Sequence, residues 1–178
     1  MMELDGRMRI LISQERIRRR IEELGREIAA DYRGRRPILV GVLRGSFVFL
    51  ADLIRTIGLP LEVDFISVAS YGGQTNSSGV VRLLQDLNTN IKGRDVILVE
   101  DIVDTGITLS YLVDNLKTRD PASLVICALL DKRERRQRDP GELKYVGFPI
   151  PDKFVVGYGL DHAQQYRNLP YVSWVEEE

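Results

Sequence analysis

The feature that most limits the possible fold is a pattern that occurs twice: a short β-rich run, a tight loop and an amphipathic helix. The first copy contains "ILVGVL" (38–43) and the turn "RGS", and the second contains the continuous apolar run of "DVILV" (95–99). Continuous runs of this kind are typical of strands that are buried on both faces. Apolar residues follow each turn at helical spacing, namely Leu50, Leu53, Ile54 and Ile57, then Leu109, Leu112, Val113 and Leu116. The pattern predicts an α/β fold with a doubly wound, mainly parallel sheet flanked by helices.

The rest of the chain fits one domain of this kind with a small addition. A helix is predicted from Ser13 to Ala30, strands at 61–70 and 123–130, and a loop at 71–79, which is rich in glycine and small polar residues. After Pro149 the alternation ends, and short strand-like pieces with many aromatic residues follow. We therefore expect a single domain over 1–178, with a hood subdomain, mainly 1–12 and 150–178, that covers a site.

Composition limits the possible partners and the cellular compartment. The chain has 25 Lys and Arg against 26 Asp and Glu, so its formal charge of −1 indicates neither a nucleic-acid nor a membrane partner. It has no apolar run of membrane-spanning length and no secretory signal at its start. The lone Cys127 lies in the apolar run "SLVICALL", which favours a core position. We expect a cytoplasmic protein that binds no nucleic acid and no membrane.

Three carboxylates follow the second β-rich run, where ligands bind in a doubly wound sheet. Glu100 and Asp101 are adjacent acceptors, which suit the neighbouring hydroxyls of a ribose or a hydrated Mg²⁺. The turn "DTGIT" (104–108) then brings backbone N–H groups and a helix N-terminus together, as a phosphate site requires. A simpler interpretation makes Asp104 only the cap of the next helix. A ribose 5-phosphate would satisfy both halves of the segment.

These residues carry a family resemblance. Residues 96–108, with "EDIVDTGIT" after four apolar residues, resemble the phosphoribosyl pyrophosphate signature of the type I phosphoribosyltransferases. The aspartate at position 104 is typical of the members that use 6-oxopurines. Four further stretches are similar to the hypoxanthine-guanine phosphoribosyltransferases, namely 41–55, 68–73, 129–136 and 151–172. The resemblance implies transfer of a phosphoribosyl group from phosphoribosyl pyrophosphate to hypoxanthine or guanine, with Mg²⁺ as cofactor and release of pyrophosphate.

The resemblance also implies roles for residues around the donor. Asp104 would be the general base, acting at purine N7. Glu100 and Asp101 would bind the ribose hydroxyls and the water shell of the metal. Pyrophosphate would be bound by Leu43, Arg44, Gly45 and Arg167, with a cis peptide before Arg44. The phosphoribosyl group would contact Glu100, Asp101, Asp104, Thr105, Gly106, Ile107 and Thr108.

Other residues would face the purine. Lys132 would donate to the 6-oxo group, Phe154 would stack on the ring, and Val155 would bind its edge through the backbone. Asp161 would hold a second Mg²⁺ through water beside the base. Ser70 and Tyr71 would open a flexible lid. The charged segment "KRERRQR" (132–138) is otherwise interpreted as a solvated loop, and His162 as a surface residue.

Two alternatives stay open at this point. A xanthine-preferring relative would share Asp104 and the purine-facing lysine. A non-enzymatic regulator of the same fold would sense phosphoribosyl pyrophosphate and bind nucleic acid through the segment 132–138, although the chain is net acidic. We expect the enzyme to form a homodimer or a homotetramer.

Overall fold

The computed structural model describes residues 8–71 and 80–175. Most of the predicted loop, 72–79, lies outside this description. Ser70 and Tyr71, which would open the proposed lid, are the last two residues of the strand Glu62–Tyr71, so Tyr71 belongs to a strand and not to the loop. The elements are β1 (Met8–Ile12), α1 (Gln14–Asp31), β2 (Ile38–Leu43), α2 (Phe47–Thr56), β3 (Glu62–Tyr71), β4 (Val80–Gln85), β5 (Asp95–Val103), α3 (Ile107–Lys117), β6 (Ser123–Asp131), β7 (Leu143–Pro149), β8 (Val155–Val156) and β9 (Val172–Val175).

The main sheet has six strands in the order β4-β3-β2-β5-β6-β7. Every neighbouring pair is parallel except β3 and β4, which are antiparallel. From β2 the chain continues to one side of the sheet, and from β5 it continues to the other side. The predicted doubly wound, mainly parallel sheet is therefore confirmed, and its topological switch point lies between β2 and β5, where a ligand crevice is expected.

Helices cover both faces of this sheet, and the side chains of β5 alternate between two cores. Ile97 and Val99 pack in a cluster with the apolar stripes of α1 and α2. Val96 and Leu98 pack on the opposite face with the stripe of α3. Cys127 is fully buried in the first cluster, as predicted, and burial raises the pKa of its thiol. The central strands are thus fixed from both sides, which gives the loops at their ends a rigid base.

A second, three-stranded antiparallel sheet has the order β1-β9-β8. It joins residues 8–12 to residues 155–156 and 172–175, which lie at opposite ends of the sequence. The hood prediction covers these strands. Its residues 1–7 and 176–178 lie outside the described part. None of the helices found within 8–71 and 80–175 has the length and apolar character needed to cross a membrane.

Around the end of β5, two details differ from the sequence-based expectations. Strand β5 does not end at residue 99 but continues to Val103, because its ladder with β6 extends through the pairs Glu100–Ala128 and Val103–Asp131. Two of the three carboxylates therefore belong to the strand. Asp104 does not cap α3, since that helix begins at Ile107 and its N-cap position is Gly106. A purely structural role for Asp104 as a helix cap is wrong.

Candidate active site

Two adjoining cavities lie at the switch point. The first encloses about 340 Å³ and is lined by Arg44, Gly45, Asp101, Ile102, Asp104, Lys132, Phe154, Val155, Leu160, Asp161 and Arg167. The second encloses about 250 Å³ and is lined by Val42, Leu43, Val68, Glu100, Asp101, Ile102, Asp104, Thr105, Gly106, Thr108 and Leu109. The two linings share Asp101, Ile102 and Asp104. The structure thus brings together the residues predicted for the purine, the pyrophosphate and the phosphoribosyl group, with two carboxylates at the junction.

The adjacent acids at the end of β5 lie in an unfavourable electrostatic environment. Glu100 is buried, and desolvation together with the charge of Asp101 raises its pKa well above the usual range. Desolvation also raises the pKa of Asp101, although Oδ1 of Asp101 accepts a hydrogen bond of 2.8 Å from the Ile102 amide and Arg167 gives partial compensation. A cation or a hydroxyl donor bound beside Glu100 and Asp101 would stabilise their ionised carboxylates.

This donor set fits Mg²⁺. Mg²⁺ is commonly held by one or two carboxylates, with its other ligands supplied by substrate oxygens and water. Glu100 and Asp101 offer such carboxylates beside a cavity. Among residues 8–71 and 80–175, no group of three or more His, Cys, Asp or Glu side chains is arranged to enclose a metal. A metal bound here would therefore depend on substrate for part of its coordination.

The loop after β2 lies against the end of β5. Its Leu43–Arg44 peptide is cis, as the family resemblance implied. The Ser46 hydroxyl donates a 2.7 Å hydrogen bond to the Val42 carbonyl, and the Phe47 amide donates to the Arg44 carbonyl, so the loop is closed on itself before α2 begins. Gly45 lies next to the Asp101 carboxylate, where a side chain would not fit. The sequence "LRGS" thus allows the backbone to approach the acids closely.

The turn from β5 into α3 combines a left-handed glycine with the start of a helix. Gly106 has a φ of 81°, which is a left-handed conformation, and lies against the Arg138 carbonyl. The Ile107 amide lies 3.4 Å from Oγ1 of Thr105 at the first turn of the 11-residue helix α3. Thr105 and Thr108 line the second cavity. The exposed N–H groups of a helix start are the features that bind phosphates in proteins.

The residues predicted to face the purine lie directly after β6 and in the segment after β7. The Lys132 amide donates to the Val103 carbonyl at 2.9 Å, so this lysine leaves β6 beside the end of β5. Phe154 is 43% exposed, and its ring forms an edge-to-face contact with His162 at 5.4 Å. His162 is exposed, as predicted, but its contact with Phe154 was not predicted. Val155 is buried in β8. An open aromatic face beside a nearly buried lysine suits a planar polar ring.

The predicted pyrophosphate and second-metal residues form one hydrogen-bonded group. Arg167 forms an ion pair of 2.6 Å with Oδ1 of Asp161 and donates at 2.7 Å to the Gly159 carbonyl. Oε1 of Gln164 lies 3.3 Å from nitrogens of both Arg44 and Arg167, so it joins the two cations. Oδ2 of Asp161 accepts from the Gln164 amide at 2.8 Å. Both oxygens of Asp161 are therefore engaged within the protein, and Gln164 is a site residue that sequence analysis missed.

The charged segment 132–138 is largely exposed, as the solvated-loop interpretation predicts, but it also contacts the site. Arg136 pairs with Asp131, whose side chain is 1% exposed. Nε of Arg135 lies 3.0 Å from Oδ1 of Asp104. The Gln137 and Arg138 amides donate to the Thr105 carbonyl at 2.9 and 3.1 Å, which ties the loop to the turn before α3. A buried aspartate at the end of a strand requires a cationic partner, and this signal at Asp131 could have revealed the role of Arg136.

Comparison with known proteins agrees with this geometry. A family model described as the phosphoribosyl transferase domain matches residues 10–163. The hypoxanthine-guanine phosphoribosyltransferase of Bacillus subtilis is 49% identical over 165 residues, which cover 93% of this chain and 91% of that protein. The hypoxanthine phosphoribosyltransferase of Salmonella typhimurium is 51% identical over 168 residues, which cover 93% and 94%. The chain is also 50% identical over 170 residues to the bifunctional protein TilS/HprT of Listeria innocua; these residues cover 96% of the chain but only 26% of that protein.

Solved structures give the same result. A crystal structure of a hypoxanthine phosphoribosyltransferase from Staphylococcus aureus matches with a TM-score of 0.90 at 45% identity, covering 94% of this chain and 91% of that one. A hypoxanthine-guanine phosphoribosyltransferase from Bacillus anthracis matches with a TM-score of 0.89 at 49% identity, covering 94% and 98%. With most of its length matched in sequence and in fold, the chain belongs to the phosphoribosyltransferase family, in the group of the hypoxanthine-guanine phosphoribosyltransferases.

Proposed function

We propose that the chain transfers the 5-phosphoribosyl group of phosphoribosyl pyrophosphate to N9 of hypoxanthine or guanine, a purine salvage reaction that gives IMP or GMP and pyrophosphate. One observation carries the proposal: the two adjoining cavities share Asp101 and Asp104, and only the second is also lined by Thr105, Gly106 and Thr108 of the turn before α3. A nucleotide has a phosphate at one end and a planar base at the other. The second cavity, with the start of α3, suits the phosphate, and the first cavity, with Phe154 and Lys132, suits the base.

The donor would bind across the junction. The amides and hydroxyls of the turn 104–108 would hold the 5-phosphate, with Thr105, Gly106, Ile107 and Thr108 as its contacts. Glu100 and Asp101 would accept hydrogen bonds from the ribose hydroxyls. These bonds would stabilise the ionised acids, whose burial otherwise disfavours their charge. The ribose would thus lie with C1′ toward the purine cavity.

Pyrophosphate would leave toward the loop after β2. Leu43, Arg44 and Gly45 would present backbone groups there, and the guanidinium of Arg167 would add positive charge at the same place. The two arginines already meet at Gln164, which keeps their cations close together despite repulsion. Developing negative charge on the leaving group is best stabilised by donors fixed in advance.

Asp104 would act on the acceptor base. In the N7–H tautomer of a 6-oxopurine, N9 carries a free lone pair that can attack C1′. As the N9–C1′ bond forms and the C1′–pyrophosphate bond breaks, the Asp104 carboxylate would accept the N7 proton. Lys132 would donate to O6, Phe154 would stack on the ring, and Val155 would bind the ring edge. A donor to O6 disfavours adenine, which has an amino group there.

Mg²⁺ would be bound by Glu100 and Asp101, and a second ion by Asp161 through water. When bound, the metal would supply Lewis-acid stabilisation of the pyrophosphate oxygens. Both carboxylate oxygens of Asp161 already have partners, namely Arg167 and the backbone amide of Gln164. A metal-bound water would therefore have to share one of these oxygens with its present partner. The carboxylates at the end of β5 are the better supported metal ligands.

Several coarser proposals accompany the activity. The small sheet and the segment after Pro149 would act as a hood, because Phe154, Val155, Asp161 and Arg167 all line the first cavity. Ser70 and Tyr71 would open a lid that excludes water. A free, buried Cys127 is compatible with the cytoplasm. We keep the prediction of a homodimer or homotetramer, without nucleic-acid or membrane partners, which sedimentation and a salt-titrated nucleic-acid binding assay would test.

Initial rates with four purines test the proposal. The protein would be supplied with Mg²⁺ and phosphoribosyl pyrophosphate, and with hypoxanthine, guanine, xanthine or adenine in turn. We expect rapid release of pyrophosphate with hypoxanthine or guanine and very little with adenine. Xanthine as the best acceptor would favour the xanthine-preferring alternative. No reaction with any of the four would contradict the proposed function.

A further inference from the structure

Four side chains of alternating charge form a continuous chain beside the first cavity. Nε of Arg135 lies 3.0 Å from Oδ1 of Asp104, and Nη1 of the same arginine lies 3.6 Å from Oδ1 of Asp152. Nζ of Lys132 lies 3.6 Å from that same Asp152 oxygen. Asp104 and Lys132 line the cavity, whereas Arg135 and Asp152 are absent from its lining. Arg135 and Asp152 therefore connect Asp104 to Lys132 without lining the cavity themselves.

Lys132 needs a counterion at this position. Its side chain is only 8% exposed, and a desolvated ammonium group is costly unless a negative charge compensates it. Asp152 supplies that charge at a separation beyond hydrogen-bond length, so the ammonium keeps donors for a ligand. Asp152 thus stabilises the charge of Lys132 without occupying all of its hydrogen-bonding capacity.

Asp104, at the other end of this chain of charges, also has a counterion that leaves hydrogen-bonding capacity free. Its Oδ1 is enclosed, yet it accepts no hydrogen bond from the residues that the structure describes, because the approach of Arg135 does not have hydrogen-bond geometry. An enclosed acceptor without a donor is costly unless a ligand supplies one. The guanidinium therefore balances the carboxylate charge at the enclosed Oδ1, while the rest of the Asp104 side chain stays available to a ligand, since the side chain as a whole is 39% exposed.

Binding of a 6-oxopurine requires a hydrogen-bond donor and a hydrogen-bond acceptor, here Lys132 and Asp104, in the same cavity. The O6 acceptor and the N7–H donor of the purine lie at neighbouring positions of the ring, so the protein must present a donor and an acceptor close together. Without other partners, the opposite charges of Lys132 and Asp104 would attract each other and close the space between them. Arg135 and Asp152 give each group a separate counterion and remove that tendency.

We infer that Asp152 and Arg135 are positioning residues that hold Lys132 and Asp104 apart at the spacing of purine O6 and N7, and that Asp152 thereby sets selectivity for 6-oxopurines. The inference rests on the proposed function, because it assigns these roles with respect to the proposed substrate. Neither residue touches the purine in this account. Both act through the groups that do.

Steady-state kinetics of the full chain test the inference. The variants are Asp152→Asn, Arg135→Gln and the double variant. The matched controls are Glu134→Gln and Arg133→Gln, which lie with Arg135 on a short 3₁₀ helix, Arg133–Arg135; Arg133 contacts Asp131 instead of Asp152. We expect Asp152→Asn to raise KM for hypoxanthine about tenfold and to lower the preference for hypoxanthine over adenine. KM for phosphoribosyl pyrophosphate and Tm should stay close to wild-type values.

The Arg135 variants provide the second measurement. Arg135→Gln should lower kcat more than it changes KM, Arg135→Lys should restore part of kcat, and the double variant should deviate from additivity because both residues belong to one network. Both side chains are about half exposed, at 45% and 44%, so folding should tolerate the substitutions. The controls should change neither kcat nor the preference for hypoxanthine over adenine by more than about twofold.

Two results would overturn the inference. One is a wild-type purine preference and KM in Asp152→Asn. The other is an equal loss of affinity for both substrates together with a lower Tm, which would mean a structural role only. In both cases an active wild-type enzyme leaves the proposed function standing, whereas an inactive wild type contradicts the proposed function and this inference with it.

Discussion

Gly45 lies so close to Asp101 that any side chain at position 45 would overlap the Asp101 carboxylate. The Gly45→Ala substitution should therefore displace either the loop after β2 or the acid at the end of β5. We expect kcat/KM to fall on the order of 10²-fold, since small misplacements of positioned groups have costs of this size. Gly58→Ala is the matched control, because a Cβ there meets nothing within 4 Å. An equal effect of both substitutions would remove the special role of Gly45.

Asp104→Asn separates chemistry from binding. Asparagine has nearly the same shape but cannot accept the N7 proton as a carboxylate does, so kcat should fall by on the order of 10²- to 10⁴-fold. Binding of phosphoribosyl pyrophosphate should change much less, because Glu100, Asp101 and the turn amides remain. Because Asp104 does not cap α3, Tm should stay close to the wild-type value. A preserved kcat with a strongly reduced Tm would mean that the proton leaves by another route.

Lys132→Ala should weaken purine recognition. Loss of the donor to O6 should raise KM for hypoxanthine and reduce discrimination against adenine by about tenfold or more. The substitution also leaves Asp152 without its lysine partner, although Arg135 still contacts it. Competition kinetics with both purines provide the measurement, and Lys153→Ala is the control, because Lys153 is absent from the lining of the first cavity. Unchanged selectivity would reduce Lys132 to a charged residue of the loop.

Removal of metal should abolish activity. Exhaustive chelation should stop the reaction, and Mg²⁺ or Mn²⁺ should restore it, because Glu100 and Asp101 suit a hard divalent cation. A donor without the 2′-hydroxyl should also be poor, since it would leave a buried carboxylate without its hydrogen-bond donor. Both are read as initial rates of pyrophosphate release. Full activity after chelation would contradict the metal assignment.

Asp64 should make folding stability sensitive to acid. Burial opposes ionisation of this carboxyl, but hydrogen bonds from the amides of Phe65, Thr89 and Asn88, at 2.8, 2.8 and 2.9 Å, outweigh it and lower its pKa. The resulting stabilisation is present above the unfolded-state pKa of about 3.8 and is lost as pH falls through the lower folded-state pKa.

Asp64→Asn isolates this contribution. At pH 7 the variant should lose about 1 to 3 kcal/mol of unfolding free energy, as expected for hydrogen bonds to a charged group. The difference from wild type should shrink as the pH falls below about 4, because the carboxyl is then protonated in the unfolded wild-type chain before it is protonated in the folded one. Urea denaturation at several pH values measures it, with the exposed Glu134→Gln as control. A difference that does not change with pH would contradict the assignment.

Local sequence patterns predicted the elements well where hydrophobicity changes sharply. Strand β2 has the predicted bounds 38–43, because Pro37 precedes it and the turn "RGS" follows it. The predicted end of β5 was four residues too early. Charged residues resemble the end of a buried strand, but pairing with β6 continues beyond Val99. The length of a strand depends on how far its partner strand extends beside it. The hydrophobic pattern of one strand alone therefore cannot predict where the strand ends.

The same limit explains the site residues that sequence analysis missed. Asp104 and Arg135 follow two different strands, and they meet because β5 and β6 are parallel neighbours in which Val103 pairs with Asp131. The residue types at 104 and 132 already indicated ligand chemistry. The partner of each depended on strand order, and the charged composition of 132–138 suggested solvent instead. Which residues line the site was therefore more predictable than how those residues contact one another.

The order of strands also has a consequence for folding kinetics. Strands β2 and β5 are neighbours in the sheet, but α2, β3 and β4 lie between them in the chain. A refolding chain must close this long loop before the segment after Leu43 can meet the acids of β5, and such non-local pairing is slow compared with helix formation. Far-ultraviolet circular dichroism should therefore recover before enzymatic turnover, so that the return of activity marks the moment when the two halves of the sheet join.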